Sequence, residues 1–141
     1  MLGLDVKQFF FDRQAIVAKV DAATRSVLSK FGAFVRRTAR GSIRSRKAPA
    51  APGSAPSSHT GLLKRLIFFG YDPARQSVVI GPAPLRSTVE APPLLEYGGT
   101  ARRKGRNGKT KSATYQARPY MGPAFEKERK VLPPLWRDSI K

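Results

Sequence analysis

Between Asp12 and Arg40 the apolar positions recur at three- and four-residue steps: Ile16, Val20, Ala23, Val27, Phe31 and Phe34, flanked by Val17, Leu28 and Val35. That period gathers them on one face of an α-helix. The other face carries Arg13, Lys19, Arg25, Lys30, Arg36, Arg37 and Arg40. Asp12 is suited to cap the start and Gly41 to stop the end. Burying apolar side chains is worth about 1.5–3 kcal/mol each, so this helix is expected to be the spine of the core.

The pattern then changes. "KAPAAPGSAPSS", residues 47–58, holds three prolines among Ala, Gly and Ser, a composition that gives a linker or an ordered surface loop. "LLKRLIFFGY" and "SVVIGPA" have strand character, and Pro73 in "DPARQ" between them suits a tight turn. An antiparallel hairpin of Leu63–Phe69 against Ser77–Gly81 is expected, although Leu62 after Thr60 equally suits a short helical turn. Pro92 and Pro93 break what precedes them, and Leu94, Leu95 and Tyr97 fit a short helix or a strand. "SATYQA" suits a short strand. "GPAFEKERKVL" opens a helix with Pro123 at its first position, where a missing N–H costs nothing. Pro133 and Pro134 end or kink that helix, and "LWRDSIK" restarts a final turn or two.

These elements predict a single α+β domain over residues 1–141. A long N-terminal helix packs on a small antiparallel β-sheet, with a C-terminal helix and long extended loops. Residues 1–11 form an N-terminal arm, 47–61 the Pro/Gly/Ser loop and 98–113 a basic loop.

Charge changes the picture. Twenty-seven Lys and Arg face nine Asp and Glu, a net charge of +18 and a pI near 11.3. Such a field attracts polyanions and strains the folded state by self-repulsion. The absence of cysteine excludes disulfides, thiolate metal sites and cysteine nucleophiles. The start has neither the basic leader nor the apolar run of a signal peptide. "LLKRLIFFGY", interrupted by two cations, is far too short to span a bilayer. Phe9–Phe11 cluster without a sustained amphipathic face, so membrane association is not expected; a staple at the helix start or a cover for a neighbour suits them better.

Catalysis needs a nucleophile, a base and a group that orients the base. The single histidine, His59, sits among Ser57, Ser58 and Thr60 with no acid near it in sequence, and reads as a solvated loop residue. The acids are scattered, without metal-loop spacing. Glu126 and Glu128 are expected early in the last helix, on the positive end of its dipole. Glu96, in an apolar stretch, is a candidate ion-pair partner at a subunit contact. No enzyme activity, cofactor or metal is expected.

Two basic zones remain. Arg102, Arg103, Lys104, Arg106, Lys109 and Lys111 place six cations in ten positions, with Gly98, Gly99, Gly105 and Gly108 around them. "GRNGKTK" is not a phosphate loop, because its leading glycine lies two residues too close to the GK pair. As a hairpin tip, Asn107-Gly108 favours a type I′ turn, and basic flanks reach a phosphate backbone or an acidic neighbour. The plainer reading is solvated loop charge. Arg36, Arg37, Arg40, Arg44, Arg46 and Lys47 form the second zone, and no acid occurs between Ala22 and Tyr71. The helix dipole accounts for only part of that cluster.

The order of the parts resembles the neck and tail-completion proteins of long-tailed bacteriophages. The resemblance rests on Thr60, Gly61 and Leu63 before the first strand, and on Ile80, Gly81 and Pro82 at the end of the second. It continues through Glu96, Tyr97, Gly98 or Gly99, and Thr100, to Arg118, Pro119, Tyr120, Pro123 and Ala124 at the start of the last helix. Here residues 101–117 separate two motifs that in the family stand a few residues apart, so the basic stretch looks like an extended tip inserted between them. The resemblance implies a structural virion protein at the head–tail junction, made in the host cytoplasm. It would be a homo-oligomeric ring, hexameric or twelvefold, around the DNA channel, with head-completion or adaptor proteins and tail proteins as neighbours. The alternative is a free basic nucleic-acid-binding protein of ribosomal or chromatin type, which the "RRKGRNGKTK" segment suits. No stacking aromatics are interleaved with those charges.

Overall fold

The computed structural model describes residues 12–84 and 91–140. The N-terminal arm, Phe9–Phe11 and the segment 85–90 lie outside them. Helix α1 spans Arg13–Ser42, and the Asp12 carboxylate accepts from the Ala15 backbone N–H at 3.0 Å, capping it as expected. Gly41 does not stop the helix, which continues to Ser42 before Ile43 turns extended.

Buried residues on and just past α1 follow four-residue steps: Ala23, Val27, Phe31, Val35, Ala39 and Ile43. Each such step overshoots a full helical turn by about 40°. The stripe therefore winds nearly half-way round α1 between Ala23 and Ala39, and different elements meet it at different heights. By contrast, Ile16, Val17 and Val20, expected in the core, are 41–49% exposed. The first two turns of α1 project past the rest of the described chain.

Thr60 and Gly61 lead into α2, a single turn over Leu62–Arg65, with Gly61 at φ 72° as its N-cap. The shorter hairpin strand follows from this turn: β1 spans Ile67–Asp72 rather than beginning at Leu63, and pairs antiparallel with β2, Ser77–Pro82. The Asp72 carboxylate accepts from the N–H groups of Ala74 and Arg75, closing the turn around Pro73. Ile67, Phe69, Val78 and Ile80 face α1, where Gly32 permits the closest approach. A Cβ built there would lie 2.8 Å from both Phe69 Cδ2 and Val78 Cγ2.

Helix α3 spans Ala91–Tyr97. Strands β3, Gly99–Lys104, and β4, Thr110–Tyr115, form a second antiparallel two-stranded sheet. Helix α4 covers Met121–Arg129 and α5 covers Leu132–Arg137, so Pro133 and Pro134 open α5 after a kink. Pro123 is the third residue of α4, not the first. Glu126 and Glu128 correspondingly fall in its second half: Glu128 accepts from the Thr38 hydroxyl and ties α4 to α1, while Glu126 pairs with Arg129 at 3.3 Å. Phe31 and Phe125 meet edge to face, with ring centroids 5.6 Å apart. The fold is α+β as expected, with α1 packed on a small antiparallel sheet and a C-terminal helix. The second sheet follows α3 at Gly99 and leads from Tyr115 toward α4.

A motif junction and a candidate polyanion-binding ribbon

The Glu96 side chain is half-buried, and both its carboxylate oxygens are engaged within the chain. Its carboxylate caps α4 from 24 residues away. Oε2 accepts from the N–H groups of Tyr120 (2.9 Å) and Met121 (3.0 Å), and Oε1 from that of Gly122 (2.7 Å). Tyr120 occupies the N-cap position without a capping side chain, and Pro123 has no N–H to satisfy. A helix start ordinarily takes its cap from a local Ser, Thr, Asp or Asn. Here a remote carboxylate serves three orphan donors and meets the positive end of the helix dipole.

Three further bonds close this junction. The Arg118 N–H donates to the Leu95 carbonyl at 2.6 Å, and the Arg118 Nε–H to the Ala50 carbonyl at 2.8 Å. The Gly53 N–H donates to Ala117 O at 2.9 Å. The 47–58 loop is therefore pinned in place, with Ala50, Pro56 and Ser58 buried. Gly98 ends α3 at φ 71°, its N–H donating to the Leu94 carbonyl, the αL cap that favours glycine. A Cβ there would come within 3.0 Å of Tyr115 O and Ala117 N. Tyr120 is 1% exposed with its hydroxyl unpartnered among the described residues. Burial, and secondarily the Glu96 carboxylate, push its pKa up to about 12. The motif residues Glu96, Gly98, Arg118, Pro119 and Tyr120 thus converge on one structural knot, while Tyr97 (83% exposed) and Thr100 face solvent.

From this knot the β3–β4 ribbon extends. Its turn is not type I′, because Asn107 keeps a negative φ and only Gly108 is left-handed, at φ 74°. The Gly108 N–H donates to Gly105 O and the Gly105 N–H to Lys109 O, a type I turn closed by a left-handed glycine. Arg102 and Lys104 fall on one face, opposite Ser112 and Thr110. Arg103 and Lys111 are direct cross-strand partners on the other, and Arg106 and Lys109 crown the tip. All six cations are exposed, and among the described residues none is in an ion pair.

The second basic zone divides. Arg36 is a brace: its Nε–H donates to the Ile67 carbonyl at 2.6 Å and its guanidinium lies over Phe68, 6.0 Å from the ring centroid. Arg37 lies over Phe34 at 5.3 Å, and Arg46 donates to the Ser57 hydroxyl. Arg40 is half-buried; Arg44 and Lys47 are exposed. The single-residue spacing of charges along a sequence does not distinguish a brace from a free contact. His59 is exposed. Among the described residues no cluster of His, Cys, Asp or Glu could hold a metal ion, and no helix is long and apolar enough to cross a membrane. No known protein family, curated protein or solved structure matches this chain.

Proposed function

We propose that this chain is a non-enzymatic structural subunit of the phage head–tail junction, a neck or tail-completion protein that closes into a ring around the DNA channel. The observation that carries the reading is the junction: two of the motifs that resemble the family, the one around Glu96 and Gly98 and the one at Arg118–Tyr120, meet in one structural knot. Glu96 caps the helix opened by Arg118-Pro119-Tyr120, and the basic ribbon hangs from it as an insertion. This explains why such residue types recur in that order without invoking catalysis.

Closure into a ring requires a heterologous contact, in which two different surfaces of the same subunit meet. Two unlike apolar surfaces are available. One is the projecting start of α1, with Ile16, Val17 and Val20; the other is the outer face of β1–β2, with Phe68 and Val79 at 51% and 66% exposure. Head-completion or adaptor proteins and tail proteins would cover the ring's two ends, in the virion. The second reading, a free nucleic-acid-binding protein, is favoured by the ribbon alone.

The chain has no cysteine, which makes cross-linking clean. Val17→Cys and Val79→Cys variants, mixed and oxidised, should give the mixed 17–79 product. A chain carrying both should give a ladder that ends at a fixed copy number. Only like-with-like products, or none at any protein concentration, would overturn the head-to-tail contact.

A further inference from the structure

We infer that the β3–β4 ribbon is an arm for double-stranded DNA, which it enters along a groove so that its two faces hold the two phosphate backbones, without reading sequence. The inference concerns the ligand of the arm and stands whether the chain works in a ring or alone.

The ribbon is electrostatically incomplete. No Asp or Glu occurs between Tyr97 and Phe125, and Arg103 faces Lys111 directly across the ladder, a like-charge pairing that destabilises a sheet. A two-stranded hairpin is at best marginally stable by itself. An anionic partner would remove that conflict.

A second copy of this chain is the wrong anion. Each copy brings a net charge of +18, and most of its described carboxylates are engaged at home. Glu96 holds three backbone N–H groups, Glu128 holds Thr38, and Asp72 holds its own turn. Asp21 accepts from Gln76 and Glu126 pairs with Arg129.

The distribution of charge then separates a nucleic acid from an acidic protein surface. A flat surface would engage one face of the ribbon and leave the other in water. Here cations stand on both faces, Arg102 and Lys104 against Arg103 and Lys111, with Arg106 and Lys109 at the tip. Two walls of phosphate on either side of a groove match that arrangement.

Dimensions select the duplex. Paired strands lie about 4.8 Å apart and six residues extend roughly 20 Å. The B-DNA major groove, about 12 Å wide, admits a two-stranded ribbon. The deep, narrow groove of A-form RNA does not. Thr110, Ser112 and Thr114 add hydroxyls of the kind that bond phosphate oxygens. Neither strand carries Asn or Gln, and the single Asn107 lies in the turn, so the strands offer no amide readout of adenine.

Fluorescence anisotropy of the nuclease-treated full chain with a labelled 20-base-pair DNA duplex tests this across a salt series. Six phosphate contacts contribute about −5 to the slope of log affinity against log salt. Replacing all six cations by glutamine should remove that contribution. Each two-residue variant, Arg102→Gln with Lys104→Gln or Arg103→Gln with Lys111→Gln, should lower the slope's magnitude by about 2. Unlabelled DNA duplex should displace the probe at a concentration at least about tenfold lower than the same sequence as RNA duplex or poly-glutamate of equal charge. The proposal fails if the two-residue variants keep the parent's slope, if only one face matters, or if RNA or poly-glutamate competes as well as DNA. The two-residue variants retain four cations and the glycine turn, and circular dichroism checks that they fold.

Discussion

Glu96→Ala removes the cap on which the motif junction depends. The carboxylate accepts three backbone N–H bonds, and bonds to a charged group contribute about 1.5–3 kcal/mol each when buried. The Gly122 N–H is exposed and can turn to water, so its loss costs little. Those of Tyr120 and Met121 are partly buried, and the helix dipole loses its counter-charge. The two partly buried bonds together give an expected loss of about 3 kcal/mol at the lower bond value. For a chain of this size that is a fall in Tm of roughly 10 °C. Glu96→Gln keeps one acceptor oxygen, which can take the place of Oε2, and should cost about half as much. Urea unfolding followed by far-UV circular dichroism, at one fixed protein concentration because assembly shifts apparent stability, measures both. Hydrogen exchange should show the Met121 amide losing protection. A Glu96→Ala variant within 0.5 kcal/mol of the parent (an approximate threshold set by ordinary surface substitutions), or a Gln variant worse than Ala, would refute the cap.

Gly32→Ala sets two effects against each other: a helix-propensity gain of about 1 kcal/mol and an overpacking cost of about 1–3 kcal/mol, since the new Cβ meets Phe69 and Val78 at 2.8 Å. A net loss of about 1 kcal/mol in thermal melting is expected, and a stabilised variant would contradict the packing of β1–β2 on α1. Tyr120→Phe removes a buried, unpartnered hydroxyl, so stability near neutral pH should hold or rise by up to about 1 kcal/mol. The Tyr120 pKa is raised from 10.0 to about 12 in the fold, so folding favours the neutral phenol. That contribution is complete below pH 10 and is lost as pH rises toward about 12. Over that window the parent should lose stability relative to Tyr120→Phe, and parallel Tm–pH curves would contradict this. Arg36→Lys keeps the charge but loses the Nε–H bond to Ile67 and the fit over Phe68. It should cost about 1–2 kcal/mol and leave the salt slope of DNA binding unchanged.

The long helix was legible because its apolar residues repeat at helical spacing, and Asp12 because its cap is local. The first hairpin is legible from turn chemistry at Pro73; of the ribbon only a tip at Asn107-Gly108 and a strand near Thr114 are, since 98–113 reads as a basic loop and β3, with its alternating cations, carries no strand signal. Periodicity names a side of a helix, however, and not what stands opposite it. Ile16, Val17 and Val20 keep the pattern while no described residue buries them. The winding of the buried stripe from Val27 through Val35 to Ala39 was hidden for the same reason, since only the neighbours at each height reveal it. The cap that Glu96 supplies is not legible because capping rules look three residues ahead, whereas its partners lie 24 to 26 residues away. A signal was present: a helix opening at Tyr120 with no local cap, and one acid isolated in an apolar segment. Arg36 counted among the contact cations because a charge run does not say which arginine has a carbonyl within reach.

Mass photometry of nuclease-treated full chain over a range of protein concentrations tests the ring most directly. One discrete closed species, sixfold or twelvefold, is expected, persisting without nucleic acid and weakening when Val17 and Val79 are both replaced by glutamate. A chain that stays monomeric at every concentration, alone and with duplex DNA, would contradict it.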